Sequence, residues 1–263
     1  MKTIPAVSFL CAGTLALAAC GRSGETVTMA GSTAFQPFAE KLAEQFMDAH
    51  PAIVITVQGG GSAMGIQSAQ SGAAQIGMAD LVALPPEANG LESVIVARDG
   101  IAVIIHPDNP VSNLTTEQVR GIFNGSLRNW NGLGGADAPI TVVSREAGSG
   151  TRSSFEKILK GVSLTKDAIV QDSNGTIRET VANDANAIGY LSHGLLNDRI
   201  KAVMIDGKEP STGNIIAGVF PLVRPVFLLT KGPAAGAARE FIDYVLSAEG
   251  QETIKDNGLL PAK

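Results

Sequence analysis

Several residue types that support common protein functions are scarce in this chain of 263 residues, which holds two cysteines, three histidines, two tyrosines and one tryptophan. His50, His106 and His193 are far apart and lack the short spacing of a metal site. No run of lysine or arginine occurs, and the formal net charge is −5. These features argue against a histidine-bound metal and against nucleic acid as a partner.

The sequence opens with a short apolar stretch. Residues from Ile4 to Ala16 are almost all apolar or small, and Leu-Ala-Ala-Cys follows, ending at Cys20. The stretch is too short for a comfortable permanent anchor, so it predicts a signal peptide over 1–19. Its end resembles a bacterial lipobox, in which the cysteine is acylated and becomes the first residue of the mature chain. A plain signal peptide cut near Ala19 is the alternative.

Processing at this position would remove Cys11 and leave Cys20 as the single cysteine. A disulfide and a cysteine metal site are then excluded, and no cofactor is expected. The expected location is periplasmic or at the cell surface, with the membrane reached through a lipid anchor at Cys20.

The composition is that of a globular chain. Hydrophobic residues make up 44%, charged residues 17%, and there are 30 glycines. These values favour a turn-rich α/β protein with one large domain or two smaller lobes.

Periodicity predicts alternating strands and helices. Phe35, Phe38, Leu42 and Phe46 recur at helical spacing, and apolar runs predict buried strands. Thr115 and Gln118 have the spacing of a helix capping box. The alternation implies a parallel sheet. Strands are predicted at 27–30, 53–57, 74–80, 101–105, 140–144, 187–191 and 225–230, and helices include 176–182 and 234–246.

Three predicted strands end in small, hydroxyl-rich turns that precede a helix. The turns are Gly31-Ser32-Thr33, Gly61-Ser62 and Gly148-Ser149-Gly150-Thr151. Helix N-termini at the carboxyl ends of parallel strands present free N–H groups, so three such turns could surround a small anion. Ordinary helix capping is the alternative for any single turn.

Familiar catalytic motifs are missing from these turns. Met64 stands where a dinucleotide fingerprint starting at Gly59 would need glycine, and Ala147 replaces the first glycine of a nucleophile elbow around Ser149. Neither an activated nucleophile nor a metal set can be identified, so an enzyme is not expected.

Motifs along nearly the whole mature chain resemble those of the phosphate-binding lipoproteins of bacterial phosphate ABC transporters. The most specific block is Arg145-Glu146-Ala147-Gly148-Ser149-Gly150-Thr151-Arg152. Other matching segments are Gly31-Ser32-Thr33, Gly61-Ser62, Ile76-Gly77-Met78-Ala79-Asp80, Asp99-Gly100-Ile101, Asn129-Trp130 and Ala187-Ile188-Gly189-Tyr190-Leu191-Ser192.

The resemblance implies an α/β, two-lobed, periplasmic-binding-protein-like (type II) fold with a central ligand cleft and two hinge crossovers. Lobe 1 would comprise about 24–104 and 222–263, and lobe 2 about 105–221. The implied partners are inorganic phosphate, ABC permease subunits and the membrane, with the protein itself a monomer.

The resemblance also implies a set of phosphate contacts. Ala34 departs from the serine that is frequent in short members, so its N–H remains but a hydroxyl contact is lost. The implied contacts are Ser32, Thr33, the Ala34 N–H, Ser62, Asp80, Arg145, Ser149, Gly150 and Thr151.

Asp80 is unexpected in an anion site. An ionised carboxylate only accepts hydrogen bonds, and phosphate near neutral pH still carries a proton to donate, whereas sulfate does not. Asp80 would therefore exclude sulfate. We also expect Asp80 to pair with Arg145.

Three other functions stay open at this level. The same fold could bind another oxyanion such as molybdate, tungstate or sulfate. The chain could act as a phosphate sensor or scaffold that signals to a membrane partner. A phosphoesterase is the enzymatic alternative.

Overall fold

A computed structural model of the protein describes residues 24–262. The predicted signal peptide and Cys20 lie outside the described residues. Within 24–262, no helix reaches the length and apolar character that crossing a bilayer requires.

The first part of the chain alternates strands and helices. Pro37 lies in the first turn of its first helix, where a missing N–H costs little. The elements are β1 (Glu25–Gly31), α1 (Gln36–Ala49), β2 (Ile53–Gly59), α2 (Ser62–Ser71), β3 (Ile76–Asp80), a 3-10 turn (Pro86–Ala88) and β4 (Glu92–Ile105).

The middle part adds two longer strands and several short elements. The predicted capping box is confirmed at Thr115 and Gln118, each of which bonds the backbone N–H of the other. The elements are β5 (Asn113–Leu114), α3 (Thr116–Phe123), β6 (Thr141–Arg145), α4 (Gly150–Leu159), β7 (Ile169–Gln171), α5 (Asn174–Ala182), β8 (Ala187–Ser192), β9 (Lys201–Ala202), β10 (Met204–Ile205) and α6 (Thr212–Ile216), with 3-10 turns at Trp130–Leu133 and His193–Leu195.

The last part of the chain packs against the first part and shares its sheet. It consists of β11 (Val223–Thr230), α7 (Gly236–Leu246), α8 (Ala248–Asp256) and β12 (Leu260–Pro261). Strand β11 inserts between β3 and β4, so the final segment completes the sheet that the first segment began.

The main sheet is mixed, so the prediction of a parallel sheet is wrong in its centre. Its strand order is β2-β1-β3-β11-β4-β8-β6-β7. The β1–β2, β1–β3, β6–β8 and β6–β7 pairs are parallel, as expected from βα alternation. Strands β4 and β11 run antiparallel to each other and to their outer neighbours β8 and β3. These two strands carry the chain out of and back into the first half, which gives them opposite directions.

The hydrophobic residues form two main cores, which define two lobes. In lobe 1, Phe46 and Phe241 pack edge to face with ring centroids 5.4 Å apart. In lobe 2, Phe155 stacks on Tyr190 at 4.1 Å. The lobe 1 core draws on α1, β1–β3, the first part of β4, β11, α7 and α8. The lobe 2 core draws on the second part of β4, on elements between β5 and α6, and on β12.

Strand β4 belongs to both lobes. Its residues up to Gly100 pair with β11, and its residues from Ile101 onward pair with β8. One unbroken strand therefore joins the two cores. The carboxyl ends of β1, β3 and β6 face the cleft between them, where the hydroxyl-rich turns lie.

Candidate functional site

A hydrogen bond to the Ser32 hydroxyl group stabilises the turn after β1. Ser32 Oγ accepts a hydrogen bond from the Phe35 N–H at 3.1 Å, and Ser32 is fully buried. Gly31 has a φ of 135°, and a Cβ there would lie 2.1 Å from the Met78 carbonyl oxygen. Only glycine fits this approach. The turn thereby sets Thr33 and the buried Ala34 at the start of α1.

Asp80 ends β3 and is 1% exposed. Its Oδ1 accepts from Ser62 Oγ at 2.6 Å, and its Oδ2 accepts from Thr151 Oγ1 at 3.2 Å. The Asp80 N–H donates back to Ser62 Oγ at 3.1 Å. Two residues predicted from separate motifs, one in each lobe, thus meet on this carboxylate.

The expected pairing of Asp80 with Arg145 is wrong. The cation that pairs with Asp80 is Arg224, whose Nη1 lies 2.5 Å from Asp80 Oδ2. Arg224 projects from β11, the strand beside β3, whereas Arg145 is held by its sequence neighbour Glu146. The neighbouring strand therefore supplies the counter-ion.

Arg145 is 1% exposed and only partly satisfied. Its Nε and Nη2 donate to the Glu146 carboxylate at 2.8 and 2.9 Å, and Nη2 also donates to the Asp172 carbonyl at 3.1 Å. Its Nη1 is buried and finds no acceptor among the described residues. A buried guanidinium nitrogen without an acceptor is costly, so this atom is suited to an anionic ligand.

The N-terminus of α4 supplies further donors. Ser149 is the N-cap, and its Oγ accepts from the Arg152 N–H at 3.2 Å. Gly150 and Thr151 occupy the first turn, where backbone N–H groups have no intrahelical acceptor and the helix dipole favours negative charge. Ser149 and Thr151 are each 1% exposed, so these donors are shielded from bulk water.

The two lobes touch across the site. The Ala63 N–H in lobe 1 donates to the Gly148 carbonyl in lobe 2 at 3.1 Å. Asn174 Nδ2, at the start of α5 in lobe 2, donates to Thr33 Oγ1 in lobe 1 at 3.1 Å. The cleft is therefore closed, and a bound ion would be surrounded by both lobes.

Four functional candidates escaped the sequence reasoning: Asn174, Asp99, Ser192 and Arg224. Asp99 and Arg224 are both 1% exposed and pair as neighbours on β4 and β11. Opposite charges beside two apolar strands were the signal that could have identified them. Burial raises the pKa of Asp99, against the lowering effect of Arg224 and Ser192.

Among the described residues, no metal cluster marks this site. Within 24–262, no group of three or more His, Cys, Asp or Glu residues could hold a metal ion. A surface cavity of about 640 Å³ lies elsewhere, between α6 and the C-terminal strand, and is lined mainly by apolar residues.

Comparison with known proteins agrees with this geometry. Residues 18–249 match the family described as the PBP superfamily domain. The chain is 35% identical over 266 residues to the phosphate-binding protein PstS of Bacillus subtilis, a match that covers 93% of this chain and 89% of that protein. The chain belongs to the PstS family of the PBP superfamily.

Solved structures of PstS-family and related receptors share the fold. A Clostridium perfringens protein, solved with bound phosphate and assigned to a phosphate ABC transporter, superposes with a TM-score of 0.88 at 39% identity, covering 91% of this chain and 100% of that one. An ABC-type phosphate transport receptor from Vibrio cholerae gives a TM-score of 0.74 at 34% identity, covering 89% of this chain and 99% of that one. The expected α/β, two-lobed fold with a central cleft is confirmed.

Proposed function

We propose that this PstS-family chain binds inorganic phosphate outside the cytoplasm and delivers it to an ABC-type permease. The observation that carries the proposal is the buried Arg145 Nη1, which has no acceptor among residues 24–262 and lies in a closed cleft lined with hydroxyl groups. A phosphate oxygen would satisfy this nitrogen. The Bacillus relative is named a phosphate-binding protein, and the Clostridium structure holds phosphate.

The remaining donors fit a tetrahedral oxyanion. Hydroxyl groups approach from both lobes, and the first turns of α1 and α4 add N–H groups, while Asp80 can accept the ligand's proton. The proposed contacts are Ser32, Thr33, Ala34, Ser62, Asp80, Arg145, Ser149, Gly150 and Thr151. Because each lobe contributes part of the set, ligand binding would stabilise the closed form.

We place the first hinge at the partner change in β4 between Gly100 and Ile101, and the second near Val223, where β11 begins. These positions are close to the lobe limits of 104/105 and 221/222 expected from the resemblance. The proposed anchor is acylated Cys20, which would hold the receptor beside its permease as a monomer.

Binding rather than catalysis is proposed because the histidines are engaged elsewhere. His50 Nδ1 contacts the Phe46 carbonyl oxygen, His106 Nδ1 accepts from the Asp108 N–H, and His193 Nδ1 contacts the Gly258 carbonyl oxygen. The hydroxyl groups of the site therefore have no neighbouring imidazole base to activate them.

Titration calorimetry of phosphate and sulfate against protein lacking residues 1–20 tests the function. The wild type should bind phosphate and reject sulfate. Asp80→Asn should change phosphate affinity modestly, because one accepted bond is exchanged for one donated bond, and should increase sulfate affinity by removing a repulsive carboxylate. Asp198→Asn, at an exposed position, removes the same charge and should leave both affinities unchanged.

The possible results separate the alternatives. Absence of phosphate binding by the wild type would contradict the function, and tight sulfate or molybdate binding would reassign the ligand. An unchanged phosphate-to-sulfate ratio in Asp80→Asn would make Asp80 a structural residue.

A further inference from the structure

A buried guanidinium lies behind the proposed ligand site and bridges two carboxylates. Arg224 Nη1 lies 2.5 Å from Asp80 Oδ2 and also donates to the Asp80 carbonyl at 3.3 Å. Its Nη2 donates to Asp99 Oδ2 at 2.9 Å. The side chains of all three residues are at most 2% exposed, so this is an ion network shielded from water.

The network lies where the two hinge strands pair. Arg224 on β11 is the direct antiparallel partner of Asp99 on β4, one residue before β4 reaches Gly100 and changes partner. Ser192 Oγ, from β8 in lobe 2, donates to Asp99 Oδ1 at 2.8 Å. Asp99 Oδ2 thus accepts from the arginine, and Asp99 Oδ1 accepts from Ser192 in the other lobe.

The Asp80 carboxylate has one acceptor site left for a ligand. An ionised carboxylate offers about four lone-pair sites. Ser62 uses one on Oδ1, while Thr151 and Arg224 use two on Oδ2. One acceptor site remains, on Oδ1, and every existing partner is a donor. A protonated oxyanion can fill that site, whereas a fully ionised one cannot.

We propose that Arg224, held in place by Asp99, is the positioning residue that orients the Asp80 carboxylate towards the ligand's proton, and thereby sets the preference for a protonated oxyanion. This inference rests on the proposed phosphate-binding function. Arg224 contacts Asp80 from behind and acts only through it.

The charges around Asp80 leave this role to Arg224. Within the described part of the chain, α2 and α4 give the Asp80 carboxylate the hydroxyl groups of Ser62 and Thr151, and Ser154 donates to the Asp80 carbonyl. The contacting cation is Arg224 on β11, and the next carboxylate is Asp99 on β4, reached through Arg224. Without the arginine, the Asp80 carboxylate loses the contact on Oδ2 that fixes its orientation, and its remaining Oδ1 acceptor site is no longer aimed at the ligand's proton.

Sulfate provides the readout, because it carries no proton to donate to Asp80. In Arg224→Gln, the phosphate-to-sulfate affinity ratio near neutral pH should fall by about tenfold or more. Arg224→Lys keeps the charge and should restore most of the ratio.

A pair of substitutions at Asp99 gives a second test. Asp99→Asn keeps an acceptor for Arg224 Nη2 and should keep most of the phosphate-to-sulfate affinity ratio, whereas Asp99→Ala removes the contact that holds the arginine and should lower the ratio. A merely structural role would not make the ratio differ between these two variants.

The experiment is calorimetry with phosphate and with sulfate near neutral pH, with thermal melting of each variant. Arg239→Gln is the matched control, because Arg239 forms an exposed pair with Asp243, and it should behave as the wild type. An equal phosphate-to-sulfate affinity ratio in wild type, Arg224→Gln and Asp99→Ala would overturn the inference. If Arg224→Gln fails to fold, the ratio in Asp99→Ala decides: an unchanged ratio overturns the inference, and a lower one supports it. A wild type that binds no phosphate would instead refute the proposed function.

Discussion

Gly150 offers a direct test of cleft closure, because an added methyl group there would occupy space that the opposite lobe holds. A Cβ on Gly150 would lie 2.2 Å from Ser62 Oγ, 2.6 Å from Asp80 Oδ1 and 2.7 Å from the Asp80 carbonyl oxygen. Gly150 begins α4 in lobe 2, and these atoms belong to lobe 1. Gly150→Ala should therefore keep the cleft partly open while leaving every polar side chain in place.

The cost follows from the hydrogen bonds that closure makes near this residue. They are Thr151 Oγ1 to Asp80 Oδ2 at 3.2 Å, Ser154 Oγ to the Asp80 carbonyl at 3.2 Å, and the Ala63 N–H to the Gly148 carbonyl at 3.1 Å. Neutral bonds contribute about 1 kcal/mol each and a bond to a charged group about 1.5–3 kcal/mol. Losing the set costs about 3.5–5 kcal/mol, which lowers phosphate affinity by roughly a few hundredfold to a few thousandfold.

Calorimetry with phosphate measures the affinity, and small-angle scattering with and without phosphate measures closure. Gly213→Ala is the control, since Gly213 also lies in the first turn of a lobe 2 helix but has no atom within 4 Å of an added Cβ. Both variants should melt like the wild type without ligand. Wild-type affinity and full compaction in Gly150→Ala would refute this account of closure.

Three further predictions concern single residues. Arg145→Ala should weaken phosphate and sulfate together, by about 2–5 kcal/mol in calorimetry, because both anions need its free Nη1; a change confined to one anion would contradict this. Burial raises the pKa of Tyr190 to about 12, so its neutral form stabilises the fold fully below about pH 10 and this contribution, about 2–3 kcal/mol, is lost as pH rises towards 12. Urea unfolding of Tyr190→Phe should lack that part of the alkaline decline. Cys20→Ser should abolish membrane retention, since acyl chains supply about 0.8 kcal/mol per buried methylene, and equal retention on cell fractionation would disprove the anchor.

Local patterns predicted most helices and strand positions, because the determining interactions lie within a few residues. Helix α1 follows from the apolar spacing of Phe38, Leu42 and Phe46, all of which are buried. Strand β4 was predicted only over Ile101–Ile105, because Arg98 and Asp99 interrupt its apolar run. Tertiary pairing with β11 extends it back to Glu92.

The candidate site was predictable where it follows strand ends and unpredictable where strands become neighbours. Ser62, Asp80 and Thr151 were expected at one place and do contact each other. The partner of Asp80 was missed because Arg224 is 144 residues away along the chain and reaches it only through the insertion of β11 beside β3. A repeating pattern within one segment carries no information about such a neighbour.

The position of β11 also bears on how the protein is made. Strands β3 and β4 are joined through β11, so a growing chain that has not reached Val223 has a gap in the middle of its lobe 1 sheet. Such a chain also lacks α7 and α8, which cover that core. Its first two hundred or so residues cannot complete a native lobe 1 or bind ligand, whatever their local helices do. A polypeptide arranged in this way stays incompletely folded until synthesis is nearly finished, a condition that suits threading through a secretion channel.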